Sequence, residues 1–379
     1  MGSLAEKPGS RLLKAACRRS IGRLAGQSLA LLLLACTPAW AEDQLLVLHQ
    51  DAIQVRDPAH VLLISIAHAG KRLVAVGEHG MIIYSDDNGG SWKQAAVPVE
   101  VTITTVAFAT PQIGWAAGAY GVVLHTEDGG TTWQDQLTGI EVNKLMSRAA
   151  AEYAQAHPDT PAAALALRRA NIFVSAGPDK PFLTILARTA ESATVFGGYR
   201  MCVHTDDGGK TWADCSLQVL DPVSHNLYQA LNAADTTYLV GEAGDVFSYN
   251  ALNGEYQPLT SPGSSTLFDI LTTKAGTLLA FGVADGMFRS IDQGKIWAPV
   301  TVPGGSDLTG GTILDDGTIV VASENGAIYT STDDGESFHA APEGVGMGLF
   351  GVTTAANGDL VFVGSGGIRV VPQTAVTRG

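Results

Sequence analysis

Basic residues are scarce in this sequence, and so are cysteines, long helical runs and long apolar runs. Of the 23 Lys and Arg, six fall between Met1 and Ala41, together with one of the 37 acids; the remainder has 17 basic and 36 acidic residues, a net of −19. Such a surface repels nucleic acid and anionic lipid and favours solubility or basic partners. Two of the four cysteines, Cys17 and Cys36, lie in that same opening segment. Only Cys202 and Cys215 remain, with neither Cys-x-x-Cys nor metal-ligand spacing. HExxH and GxSxG are absent, so neither a zincin centre nor a nucleophile elbow is indicated, and we expect no metal or cofactor. After Ala41 no stretch is long and apolar enough to span a membrane.

The segment from Met1 to Ala41 differs in kind. Arg11, Lys14, Arg18, Arg19 and Arg23 precede an apolar run from Leu24 to Ala35, and Ala39-Trp40-Ala41 follows. This pattern predicts a secretory signal cleaved after Ala41, leaving 42–379 as the mature chain in the periplasm or outside the cell. Leu33-Leu34-Ala35-Cys36 offers a second reading, a lipoprotein anchored at Cys36, and Arg18-Arg19 a third, twin-arginine export with poorly fitting flanks. In an oxidising compartment Cys202 and Cys215, symmetric about Gly208-Gly209, are expected opposite each other on a hairpin as a disulfide. Two free buried thiols are the alternative.

What is abundant is glycine, 44 residues, and it recurs with a period. An apolar strand ends in a small residue, then a short turn and another Gly follow. The small residues are Gly77, Gly118, Gly197, Gly241, Gly282, Ser323 and Gly364, spaced 41, 79, 44, 41, 41 and 41 apart. Further apolar strands precede these, such as 62–67, 105–108, 182–187, 267–272 and 349–354. About 40 residues in four antiparallel strands, A to D, is one propeller blade. The fold class expected is all-β, a seven-bladed β-propeller. Blade seven has room for three strands before Gly379, so residues 44–48 are expected to supply its outer strand and close the ring. The single long interval makes room for a helical insert at about 138–180 between blades two and three. It should hold helices at 140–157 and 161–171, the second with Pro at its start. It should overhang the face bearing the B–C turns.

A second motif, Ser/Thr-x-Asp-x-Gly-x-Ser/Thr-Trp, follows strand C. It contains Asp87 and Trp92, Asp128 and Trp133, and Asp207 and Trp212. Asp292 with Trp297 lacks one hydroxyl, and Asp333 is followed by Phe338 in place of Trp. Blade four keeps only Ser248, Asn250 and Tyr256. The Asp and hydroxyls can satisfy turn amides while the ring packs between blades, so the expected role is structural. The Ca²⁺ alternative lacks EF-hand spacing and its terminal Glu. Gly208-Gly209-Lys210-Thr211 mimics the end of a phosphate loop, but His204 stands where its first Gly belongs. His125 and His204 occupy a slot that varies by blade, which points to packing.

These motifs resemble the Asp boxes of bacterial neuraminidase repeats. With seven blades, export and repeats such as Val76-Gly77-Glu78-His79-Gly80 before Ser85 to Trp92, the chain resembles the photosystem II assembly and stability factors and their bacterial relatives. That resemblance implies a non-enzymatic scaffold that binds a membrane-protein or envelope complex. The family's arginine-rich binding patches have no counterpart here, where only Arg200 stands at a turn glycine. The alternative is a sialidase-related glycan-binding or glycoside hydrolase propeller. Its Phe/Tyr-Arg-Ile/Leu-Pro motif is absent, and Arg200, Arg289 and Arg369 should not converge. The candidate partner-binding residues are Glu78, His79, Tyr120, Tyr199, Arg200, Glu242 and Glu324, in or beside the B–C turns.

Overall fold

The computed structural model describes residues 45–376, apart from 220–222, 234 and 343 and the side chain at 285. The expected signal segment 1–41 and the alternative of an anchor at Cys36 lie outside the described residues.

Among the described residues seven antiparallel sheets follow one another, six of four strands and a last one of three, each with its strands in sequence order. Their first strands, Leu63–Ala69, Ile103–Phe108, Phe182–Ala187, Leu227–Ala233, Leu267–Thr272, Leu308–Ile313 and Leu349–Thr354, contact one another around a closed ring. The seven-bladed propeller is therefore present. Apolar clusters lie between adjacent blades, because each sheet buries both faces and can do so only against its neighbours.

The Asp turns pin these joints. In blade two the Asp128 carboxylate accepts from the Thr131 and Thr132 amides at 2.9 and 3.0 Å and from the Thr132 and Thr126 hydroxyls at 2.7 and 2.9 Å. Thr126 in turn accepts the Gly130 amide, and the Trp133 indole donates to the Gly130 carbonyl. Asp87, Asp207 and Asp333 repeat the pattern, and the hydrogen bonds to each hold its carboxyl down at about 2. Trp133, Trp297 and Phe338 each enter the cluster of the preceding blade. Where blade four lost its motif, Tyr256 takes the same place, edge-on to Phe196 of blade three at 5.5 Å.

The small residue ending strand B has a steric cause. The Ala119 amide donates to the Thr102 carbonyl at 2.9 Å, clipping the B–C turn to the loop entering the blade. A Cβ on Gly118 would sit 2.1 Å from that carbonyl oxygen. Blades three, four, five and seven repeat the close approach at Gly197, Gly241, Gly282 and Gly364. Blade six uses Ser323, which donates its hydroxyl to the Asp307 carbonyl.

Two expectations are corrected. Residues 45–48 form no outer strand of blade seven. Leu45 to His49 make a turn, and Leu48, 2% exposed, is buried with Val97, Val99 and Val101 at the joint of blades one and two. Among the described residues blade seven has three strands, and Val55, Ala59 and Val61 pack beside its Ile368 instead. Helix α1 is Gly139–Ala156 and helix α2 is Pro161–Ala176, so α2 runs past Asn171. Burying Phe173 outweighs the modest helix propensity of Ile172 and Val174, and Gly177 at φ 89° ends the helix. Glu141 accepts the Thr138 amide at the start of α1, and Thr160 caps α2 ahead of Pro161. No helix among the described residues is long and apolar enough to cross a membrane.

Candidate functional site

The B–C turns crown one end of the ring. In four blades they are tight turns with two consecutive residues at positive φ: His79-Gly80, Tyr120-Gly121, Tyr199-Arg200 and Ala243-Gly244. This conformation matches the strand twist of a two-residue hairpin; its first residue is exposed at His79, Tyr199 and Ala243, whereas Tyr120 is half-buried against the cluster of blades one and two. Glu78, His79 and Glu324 are exposed, as is Tyr199. His79 lies 3.5 Å from Glu100.

Two of the expected surface residues are spoken for internally. Arg200 is 1% exposed. Its guanidinium meets Asp245 at 2.5 Å and stacks over Phe247, so it ties blade three to blade four and is not a docking cation. The buried site wins because the ion pair and the ring together offset desolvation of the guanidinium. Glu242 accepts from the Asn226 amide and side chain and from Tyr228, which fixes the loop entering blade four.

The helical insert reaches the turn-bearing face in the expected sector. Gly139, at the start of α1, would contact a Cβ on Gly121. In α2 the buried Arg169 donates to the Tyr199 carbonyl, and Phe173 meets the Tyr199 ring edge-on at 6.1 Å. Lys180 lies 5.5 Å above the same ring. The composition of 161–171 gave no sign of Arg169's role, since a lone Arg on a helix ordinarily faces water. Val142, Met146 and Phe173 join Trp115 and Trp212 in one cluster, so the insert is part of the core of blades two and three. None of its described residues lines the central channel.

The channel itself was not foreseen as a site. It has a volume of about 760 Å³ and is lined by all seven blades. Every first strand carries a bulge after its buried first residue, as between Leu227 and Gln229 or Leu267 and Asp269. The bulged residue turns into the channel, and a bulge re-aims a side chain in just this way. Five of the seven are apolar and half-buried: Ile64, Leu183, Tyr228, Phe268 and Phe350. Thr104 and Thr309 are the exceptions, and their hydroxyls bond carbonyls of the next blade. Deeper in, Thr184, Gln229, Asp269 and the Gly311 amide form a hydrogen-bonded belt from blade three to blade six. Burial pushes the Asp269 carboxyl up to about 6. Asp307 and Glu324 complete the lining, which contains no Lys, Arg or His among the described residues.

Arg289 pairs with Asp334 at 2.9 Å, so with Arg200 it is committed to a neighbouring blade, and among the described residues no arginine converges on the channel. Cys202 and Cys215 are joined in a disulfide. His125, 8% exposed, lies tilted against the Trp115 ring at 5.0 Å, and burial lowers its pKa. Among the described residues no group of His, Cys, Asp or Glu is arranged to hold a metal ion.

Residues 89–149 match the family model described as photosynthesis system II assembly factor YCF48. The resemblance to the photosystem II assembly factors holds. In fold it extends over the propeller. The structure of YCF48 bound to D1 peptide superposes with a TM-score of 0.62 at 16% identity, covering 84% of this chain and 96% of that one. YCF48 from Cyanidioschyzon merolae gives 0.61 at 16%, covering 83% and 97%. The extracellular domain of a one component system from B. thetaiotaomicron gives 0.58 at 11%, covering 85% of this chain and 40% of that one. No curated protein matches the sequence. The YCF48-like propeller thus presents, in this chain, an acidic and aromatic channel mouth with a helical insert beside it.

Proposed function

We propose that the chain is an exported, non-enzymatic scaffold that holds a protein of a membrane or envelope complex during its assembly or operation. The observation that carries this reading is the exposure of apolar side chains on α2 and of Tyr199, the ring that α2 packs against. Tyr199 is 46% exposed on a turn that buried Phe173 and Arg169 hold in place, and Ile172 and Val174, flanking Phe173, are 54% and 56% exposed. Exposed apolar and aromatic side chains held on rigid elements favour a protein interface. The likeness to YCF48, one structure of which holds a D1 peptide, supports a protein as the partner. Export is supported by the leader ending at Ala39-Trp40-Ala41 and by the disulfide.

The test is crosslinking in the native envelope with the wild type and with an Ile172→Asp, Val174→Asp double variant. The wild type should capture a defined membrane or envelope protein and the variant should lose it, with both unfolding at the same temperature. Equal capture would place the interface elsewhere. Hydrolysis of a fluorogenic sialoside by the purified protein would overturn the non-enzymatic reading.

A further inference from the structure

The channel mouth combines two features that its own packing does not require. Ile64, Tyr228, Phe268 and Phe350 are delivered into it by the bulges and remain half-buried, although the same strands bury their preceding residue fully. Phe268 meets Tyr228 edge-on at 5.3 Å, and Tyr228 is itself held by Glu242, so two of the aromatic rings are fixed in place. A volume of about 760 Å³ admits a few side chains and no folded domain.

The second feature is the sign of the charge. Asp307 and Glu324 stand in the lining and, among the described residues, no cation does. One carboxylate oxygen of Asp307 accepts the Ala284 amide, which holds the group in place, and Glu324 is exposed on its turn. An anionic or sugar-acid ligand would meet only like charge here. A second copy of this acidic chain would be repelled as well.

Accepting the reading of the chain as a protein-binding propeller, on which this step rests, we propose that the channel mouth binds an extended peptide segment in which an apolar side chain is flanked by lysine or arginine. The apolar side chain enters among Ile64, Phe268 and Phe350. The flanking cations meet Asp307 and Glu324, and their aliphatic stems lie on the aromatic faces. The net acidity of the protein steers such a segment toward it.

Fluorescence anisotropy on the full-length protein tests this with three labelled nonapeptides, centred on Lys-Leu-Lys, Glu-Leu-Glu and Lys-Ser-Lys. The first should bind, more weakly as salt rises, and the other two at least about tenfold more weakly. Phe268→Ser should weaken the first peptide about tenfold. Glu324→Lys should weaken it and flatten its salt dependence. Glu324 is an exposed turn residue, so this variant decides the matter even where Phe268→Ser fails to fold. Equal binding of the Lys-Leu-Lys and Glu-Leu-Glu peptides would overturn the proposal, as would an unchanged Glu324→Lys. Self-association that competes with the peptide would assign the mouth to a second copy and equally overturn it. Envelope capture through the insert does not depend on the channel. Capture retained without peptide binding sinks this step alone, whereas peptide binding without capture sinks the envelope partner.

Discussion

Replacing Asp128 by Ala removes one carboxylate and strands four donors. These are the amides of Thr131 and Thr132 and the hydroxyls of Thr126 and Thr132. The turn is exposed, so water re-solvates most of them and each bond is worth about 0.5 kcal/mol, near the low end of the net range. The loss is then about 2 kcal/mol, or a fall of roughly 2–6 °C in the unfolding midpoint of a domain this large. Urea denaturation followed by tryptophan fluorescence is the assay, since Trp133 is buried on the far side of the same turn. Asp128→Asn keeps one acceptor oxygen for the amides and should recover about half of the loss. The neighbouring Glu127→Ala, equally exposed, should stay within about 0.5 kcal/mol of wild type. The pH dependence follows from the lowered carboxyl pKa: desolvation is the largest single influence and raises it, but the hydrogen bonds from Thr132, Thr126 and Thr131 together outweigh it. A carboxyl whose folded pKa lies below its unfolded value of about 3.9 contributes fully above that pH and loses its contribution as pH falls through the folded value. The gap between wild type and Asp128→Ala should therefore narrow only below about pH 4. A midpoint for Asp128→Ala matching that of Glu127→Ala would contradict this account of the turn.

Three further outcomes are expected. Cys202→Ser with Cys215→Ser opens a loop between residues 13 apart and should cost about 3 kcal/mol in urea denaturation, with reductant then affecting the wild type but not the variant. Asp269 titrates in the opposite sense to the turn aspartates. Burial raises its carboxyl to about 6, so the folded state penalises ionisation, and the wild type should lose stability between about pH 4 and 6. Asp269→Ala should remove that slope while costing about 2–3 kcal/mol through the Gln229, Ile270 and Gly311 donors left unpaired, both visible in urea midpoints taken across that range. Gly118→Ala drives a Cβ into the Thr102 carbonyl and should cost about 2–3 kcal/mol by calorimetry, although its extended backbone suits any residue.

The clipped geometry also limits what can be removed. Excising residues 143–179 would uncover Trp212 and Trp115, because Met146 and Phe173 complete their cluster. The insert is better probed by substitutions on its exposed side, at Ile172 and Val174, than by deletion.

Whatever repeats along this chain was legible from amino-acid order alone. The near-constant spacing from Gly77 to Gly364, a small residue closing each second strand and five Asp turns in register carry local turn chemistry and strand alternation, and such signals act over short stretches of chain. The insert was legible for the same reason, as a break in the period filled by two stretches of helical composition, the second opening on Pro161; the caps at Thr138 and Thr160 emerged only in the structure. What does not repeat depended on contacts between distant parts of the chain. Arg200 read as a turn cation, and only the approach of Asp245 and Phe247 from the next blade made it an internal tie. Residues 44–48 read as a strand, yet Leu48 is buried with Val97 and Val101 at the joint of blades one and two. The channel ring escaped the sequence altogether. A one-residue bulge reverses which face a side chain takes, and alternation alone cannot show that Tyr228, Phe268 and Phe350 leave their sheets to meet on a common axis.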